Sequence, residues 1–164
     1  MFNNEQEISP KDLHIYKKGQ EICDVIREIC DLIPEENEHL QYIKAEMIAD
    51  ASMLTVKVAG AEAAGLYDLT MEAAAIIRKA AHDLMVGNHK LEMFGFEDVE
   101  YYKIVRELLE EYRLLFIDWV AGFDKWNYVI DRWGLFNPPG VDPFDKDSDE
   151  DIPFSGFDDT DEDQ

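Results

Sequence analysis

Apolar side chains recur at three- and four-residue steps along most of this chain, the spacing that gathers them on one face of an α-helix. Leu40, Ile43, Met47, Ala51, Leu54, Val58 and Ala61 form one such series and predict a helix of about 25 residues. Leu69, Ala73, Ile76 or Ile77, Ala80 and Leu84 form a second. Residues 45–84 hold twelve alanines, with Gly60 and Gly65 among them and no proline. Small side chains let helix axes approach toward the short end of the usual ~8–10 Å spacing, so these two helices are expected to pack closely. Gly65 is the expected break, since glycine costs about 1 kcal/mol relative to alanine inside a helix and caps a helix end in the left-handed conformation without strain. Asp68 then lies near the next N-terminus, where a carboxylate favours the macrodipole. One uninterrupted helix over 37–85 is the competing expectation, against which stands the rarity of such lengths in globular chains.

Two further helices flank this pair. Ser9-Pro10-Lys11-Asp12 is a start signal, with Ser9 as N-cap, Pro10 at the first helical position and Asp12 in the place of the capping-box acid. The first helix is expected over 10–33, with Leu13, Tyr16, Ile22, Ile26, Ile29 and Ile33 on one face and Pro34 closing it. The third helix either continues through Gly87-Asn88 to Met93 or breaks there, and Phe94-Gly95-Phe96 makes the next corner. A fourth helix begins at Glu97 or Asp98 and is expected to run at least to Trp126.

That fourth helix is apolar on more than one face. Leu109, Tyr112, Phe116, Trp119, Phe123 and Trp126 make a continuous seam, while Val105, Leu108, Leu115, Ile117 and Val120 lie outside it. A surface helix of a monomer needs one apolar stripe of about 100°, so something must cover the second. The candidates are residues 127–141, with Trp133, Leu135 and Phe136, or another subunit. With all three tryptophans between 119 and 133, a small aromatic core closed by the C-terminal segment is the alternative to an oligomer interface along the seam. Asn137-Pro138-Pro139-Gly140 has no helical reading. The sequence therefore divides into a polar N-terminus (1–9), an all-α four-helix domain with an aromatic C-terminal extension (10–140), and a tail (141–164).

Charge changes the picture of partners. The net charge is −22; residues 1–140 carry 26 acidic and 14 basic side chains, and 141–164 carry eleven acids and one lysine. Nucleic-acid affinity depends chiefly on Lys and Arg neutralising phosphates, so direct binding is not expected even for the domain without its tail. The tail combines high charge with few apolar residues and is expected to be disordered in isolation. No run of about 18 uncharged apolar residues appears, so no membrane span is expected. Met1-Phe2-Asn3-Asn4-Glu5 has neither the basic nor the apolar region of a secretory signal, which makes the cytoplasm the expected location. Cys23 and Cys30 stand about 10.5 Å apart along a helix axis, too far to bridge, and are expected as buried thiols.

Reactive constellations are sparse. A bundle di-iron site uses Glu-x-x-His on two helices, and the chain has one copy, Glu36 to His39, at the start of the second helix. Asp145, Asp147 and Asp149 follow the opening spacing of a calcium loop, but Glu150 replaces the turn glycine and Gly156 the bidentate acid. No phosphate-binding glycine loop or nucleophile elbow is present. His14, Glu46, Asp50 and Glu62 read as solvated helix faces. No catalytic residue, cofactor or metal site is expected.

Two resemblances remain. Asp149-Glu150-Asp151-Ile152-Pro153-Phe154 resembles the acidic tip of bacterial single-stranded-DNA-binding proteins, which implies docking on basic, apolar pockets of partner proteins through Asp149, Asp151, Ile152, Pro153 and Phe154, with Phe157 beyond them. Ten residues follow Phe154 here. Tyr16-Lys17-Lys18-Gly19-Gln20, Leu32-Ile33-Pro34-Glu35-Glu36, the small residues Ala49, Ala51, Ala59 and Gly60, the alanine-rich third helix and the corner at 91–95 together resemble the 23S rRNA intervening-sequence proteins. That family includes the accessory variability determinant of diversity-generating retroelements. The resemblance implies an up-down-up-down antiparallel bundle, a homo-pentamer and no enzymatic activity. Retroelement members bind nucleic acid and a reverse transcriptase through a basic funnel, a surface this acidic domain lacks. The leading expectation is a homo-oligomeric scaffold or adaptor that recruits a basic partner protein; an acidic mimic of nucleic acid, occupying a DNA- or RNA-binding protein, is the alternative.

Overall fold

The structure, a computed structural model, describes residues 8–147. Every regular element among them is helical: α1 (His14–Asp31), α2 (Glu38–Ala64), α3 (Tyr67–Met85), the short α4 (Gly87–Met93) and α5 (Tyr102–Ala121), with 3-10 turns at Pro10–Asp12 and Val99–Tyr101. The break between α2 and α3 falls at Gly65, whose φ of 62° lets its N–H close onto Ala61 O. At the other end of α2 the Asn37 side chain accepts the Leu40 N–H, satisfying one of the amides a helix start leaves free.

Two helix ends differ from expectation, and a third takes one of the two forms expected. Ser9 makes no side-chain cap, and Pro10–Asp12 forms a separate turn, because Leu13 adopts an extended conformation that brings its side chain against the core. The third helix breaks at Val86, and a further turn of helix then reaches Met93. The fourth helix does not run to Trp126. It stops at Ala121, since Gly122 is a poor helix former and the Asp124 carboxylate accepts the Trp126 N–H at 2.9 Å, a local turn that competes with the helical ladder.

Pairing between the long helices can be read from side-chain contacts. The α1–α2 contact is closest at Gly19, where an added Cβ would stand 2.9 Å from Leu54 O. Cys23 Sγ donates to Ala51 O at 2.9 Å, and Asp31 faces Lys44 at 4.0 Å. Residue numbers thus fall along α2 as they rise along α1. Tyr112 donates to Leu54 O at 2.8 Å and Trp119 Nε1 to Glu62 Oε1 at 2.7 Å, reaching across the core from α5, which packs against α1 and α3, to the diagonal α2, with both numbers rising. Tyr102 donates to Leu84 O at 2.6 Å where α5 meets α3. The shared core holds Ile22, Ile26, Leu40, Leu54, Ile77, Leu84 and Val105, all fully enclosed, each worth about 1.5–3 kcal/mol of transfer free energy as an upper estimate.

Both cysteines are free and buried. Burial raises both thiols, Cys30 to about 11, which leaves them poorly reactive. At the corner after α4, Gly95 takes a φ of 88°, and His39 stacks on Phe94 with ring centres 5.0 Å apart. No helix among the described residues is long and apolar enough to cross a membrane.

Candidate functional site

Beyond Ala121 the chain forms neither a helix nor a lid. Residues 122–147 make an irregular arm whose backbone is fixed by hydrogen bonds. Its base crosses the α2–α3 turn: Asn127 O accepts the Tyr67 N–H at 2.8 Å, Asn127 Nδ2 donates to Gly65 O at 2.9 Å, and the Asp68 carboxylate accepts the Val129 N–H at 3.1 Å. Asn127 therefore satisfies backbone groups that Gly65 and the start of α3 leave free.

Asp131 organises the next turn. Its carboxylate accepts the N–H groups of Trp133 (2.9 Å), Leu135 (2.8 Å) and Phe136 (2.8 Å), while Asn137 exchanges two hydrogen bonds with its backbone. Gly134, at a φ of 74°, supplies the left-handed step. Arg132 Nη1 then donates to Pro143 O and Asp145 O, at 2.9 and 2.7 Å, tying the turn over 142–145 back onto the arm. Hydrogen-bonded turns thus continue beyond Gly140 into the start of the segment expected as tail.

On this fixed backbone the large apolar side chains face outward. Trp126 is 90% exposed, Trp133 92%, Leu135 76% and Phe144 91%. Side chains of this kind supply most of the free energy at protein interfaces, provided a pocket receives them. A backbone already ordered has also met much of the entropic cost of binding.

A hollow lies between α3 and α5. It has a volume of about 340 Å³ and is lined by Ile77, Ala81, Met85, Leu109, Phe116 and Ile117, with Arg78, His82 and Arg113 beside them. Ala81 leaves the space unfilled, and Ile117 is 51% exposed at its edge.

The six residues of the expected seam divide accordingly. Leu109 and Tyr112 are enclosed in the chain's own core. Phe116 and Trp119 are half-buried against it, and Trp119 meets Phe123 edge to face at 4.7 Å. Trp126 sits on the arm. Residues 127–141 do not blanket α5, whose Ile104, Leu114 and Ile117 remain exposed, and the three tryptophans do not close a common core. Sequence reasoning missed Asp131 and Arg132; the signal was present in the Asp, Asn, Gly and Pro residues over 131–140, each a turn former. The tail residues Asp149, Asp151, Ile152, Pro153, Phe154 and Phe157 lie outside the described residues.

Two acidic side chains of α2 have structural partners, and a third is partly withdrawn from water. Glu46 pairs with Lys90 at 3.4 Å, Glu62 holds Trp119, and burial raises the Asp50 carboxyl, with Asp83 adding to it. Among the described residues no cluster of His, Cys, Asp or Glu has a metal-binding arrangement.

Asp131 gives the arm a defined pH response. Amide hydrogen bonds, that from Phe136 first, hold its carboxyl below the ordinary 3.8. A lowered folded value stabilises the arm fully above the unfolded value and is lost as pH falls through the folded one. Asp131→Ala is expected to speed hydrogen exchange at the amides of Trp133, Leu135 and Phe136 at neutral pH, with α1–α3 unchanged. Unaltered protection of those three amides would show that the carboxylate does not order the turn.

No protein-family model, curated protein or solved structure matches the chain.

Proposed function

We propose that this chain is a non-enzymatic, homo-oligomeric four-helix scaffold or adaptor, an up-down-up-down antiparallel bundle similar to the intervening-sequence proteins and the retroelement accessory determinant. The observation that carries this reading is the fixed arm with Trp126, Trp133 and Phe144 each at least 90% exposed. Tryptophans held on an ordered backbone and left in water are the side chains that most often anchor protein interfaces. The bundle topology is supported by the falling and rising residue pairings of α1 with α2 and α2 with α5.

In this reading self-association uses Phe116, Trp119, Phe123 and Trp126 around the end of α5, and a ring such as the family's pentamer is one closed form it can take. A basic partner protein is recruited through the acidic surface and the tail at Asp149, Asp151, Ile152, Pro153, Phe154 and Phe157. Charge complementarity of this kind speeds encounter and selects partners more than it adds affinity. Neither direct nucleic-acid binding nor a membrane is part of the proposal, and the cytoplasm is the proposed location.

Removing 148–164 tests recruitment while leaving Arg132 its acceptors on Pro143 and Asp145. The full chain is expected to retain basic proteins in a pull-down read by mass spectrometry, and the shortened chain to lose them. Retention of the same set by both would favour the acidic mimic of nucleic acid, whose carboxylates lie on the folded surface.

A further inference from the structure

Within one chain, two complementary apolar features both stay open. Trp133 and Leu135 project from an ordered turn, and the α3–α5 groove keeps about 340 Å³ unfilled. We propose that the groove of one copy receives Trp133 and Leu135 from the arm of a second copy. This deepens the assembly reading above and rests on it, because it adds an arm-in-groove contact to the aromatic cluster around the end of α5.

Charge selects this occupant. The chain carries 37 acidic and only 15 basic side chains, yet two arginines and a histidine, Arg78, Arg113 and His82, line this groove. Arg113 pairs with Glu110 at 2.9 Å, whereas Arg78 has no ion pair among the described residues. The arm brings acids beside its aromatics: Asp142 and Asp145 are exposed within the turn that Arg132 ties to the base of Trp133. Seating the indole therefore brings carboxylates toward Arg78 while covering Phe116 and Ile117.

Geometry favours a second copy over the chain's own arm. Bonds from Asn127 and Val129 hold the arm base on the α2–α3 turn, and Arg132 folds the rest back on itself, with Trp133 92% exposed and Ile117 51% exposed in the same molecule. Because arm and groove lie on one chain, each copy can give one contact and receive one. Such a contact gives a reciprocal pair or a ring where its rotation closes, and an open filament where it does not.

Analytical ultracentrifugation of the full chain tests this. Trp133→Ala/Leu135→Ala removes the ligand side, and Ile117→Asp blocks the groove at a half-exposed position, so both variants are expected to keep wild-type helicity, with a melting temperature lowered only by the lost subunit contacts. The wild type is expected to sediment as an assembly at micromolar concentration, with each variant dissociating at least tenfold more readily toward the 19.0 kDa chain. Mixing the variants is expected to restore a one-to-one species, since one supplies an intact groove and the other an intact arm. An assembled wild type whose mass neither variant changes, or two dissociated variants that do not complement each other, would overturn the arm-in-groove contact and leave assembly standing. A wild type that stays monomeric would remove both.

Discussion

Tyr112→Ala is expected to destabilise the fold by about 3–5 kcal/mol, the range for truncating a buried aromatic side chain. Tyr112 is 1% exposed. Its ring lies in the shared core, and its hydroxyl donates across it to Leu54 O of α2 at 2.8 Å. Burial raises this phenol well above its ordinary value, so it stays a neutral donor throughout the working pH range. Tyr112→Phe keeps the ring and loses one hydrogen bond, worth about 1 kcal/mol. Chemical denaturation of both variants separates packing from hydrogen bonding. Equal losses for Ala and Phe would mean that the hydroxyl, and not the ring, holds α5 to α2.

Gly19→Val is expected to cost about 3 kcal/mol, the upper end of overpacking penalties. At this position an added Cβ meets Leu54 O at 2.9 Å and Thr55 Cγ2 at 3.0 Å. The nearest obstacle is backbone of the neighbouring helix, which cannot swing aside as a flexible side chain can. Valine is also the better helix former, by a few tenths of a kcal/mol, so any loss measures the helix–helix clash with that gain already subtracted. A matched substitution at Gly60, where an added Cβ meets nothing within 4 Å, is expected to be neutral or stabilising. Thermal melts of the pair test the claim: equal melting temperatures at the two sites would remove Gly19 as the close-approach point of α1 and α2.

The helices were legible wherever periodicity and punctuation agreed. The apolar series from Leu40 to Ala61 lies on the buried face of α2, and Gly65 stops the helix for the reason its residue type suggests. The end of α5 misled because Trp119, Phe123 and Trp126 keep helical spacing past the point where the helix ends. There, Gly122, the Asp124 turn, the bond from Asn127 to Gly65 and the one Asn127 accepts from Tyr67 outweigh the pattern. Spacing reports which residues would share a face if a helix formed, and tertiary hydrogen bonds decide whether it does. The second apolar stripe of α5 was likewise resolved in part by the chain itself, with Val105 and Leu108 buried and Ile117 left exposed.

The arm and the groove were not legible for a different reason. Asp131 acts on amides two to five residues ahead, and turn-forming residues announce a turn without saying which way its side chains face. The groove depends on how far α3 and α5 stand apart at Ala81, a quantity set by packing among all the long helices and by no single stretch. The acidic excess was plain in the sequence, yet the two arginines lining that groove emerge only once α3 and α5 lie side by side.

The mass of the intact chain in dilute solution bears most directly on whether this protein works as an assembly. Light scattering across the micromolar range is expected to give a multiple of 19.0 kDa, falling toward that value only on strong dilution. A constant 19.0 kDa over the whole range would contradict the account.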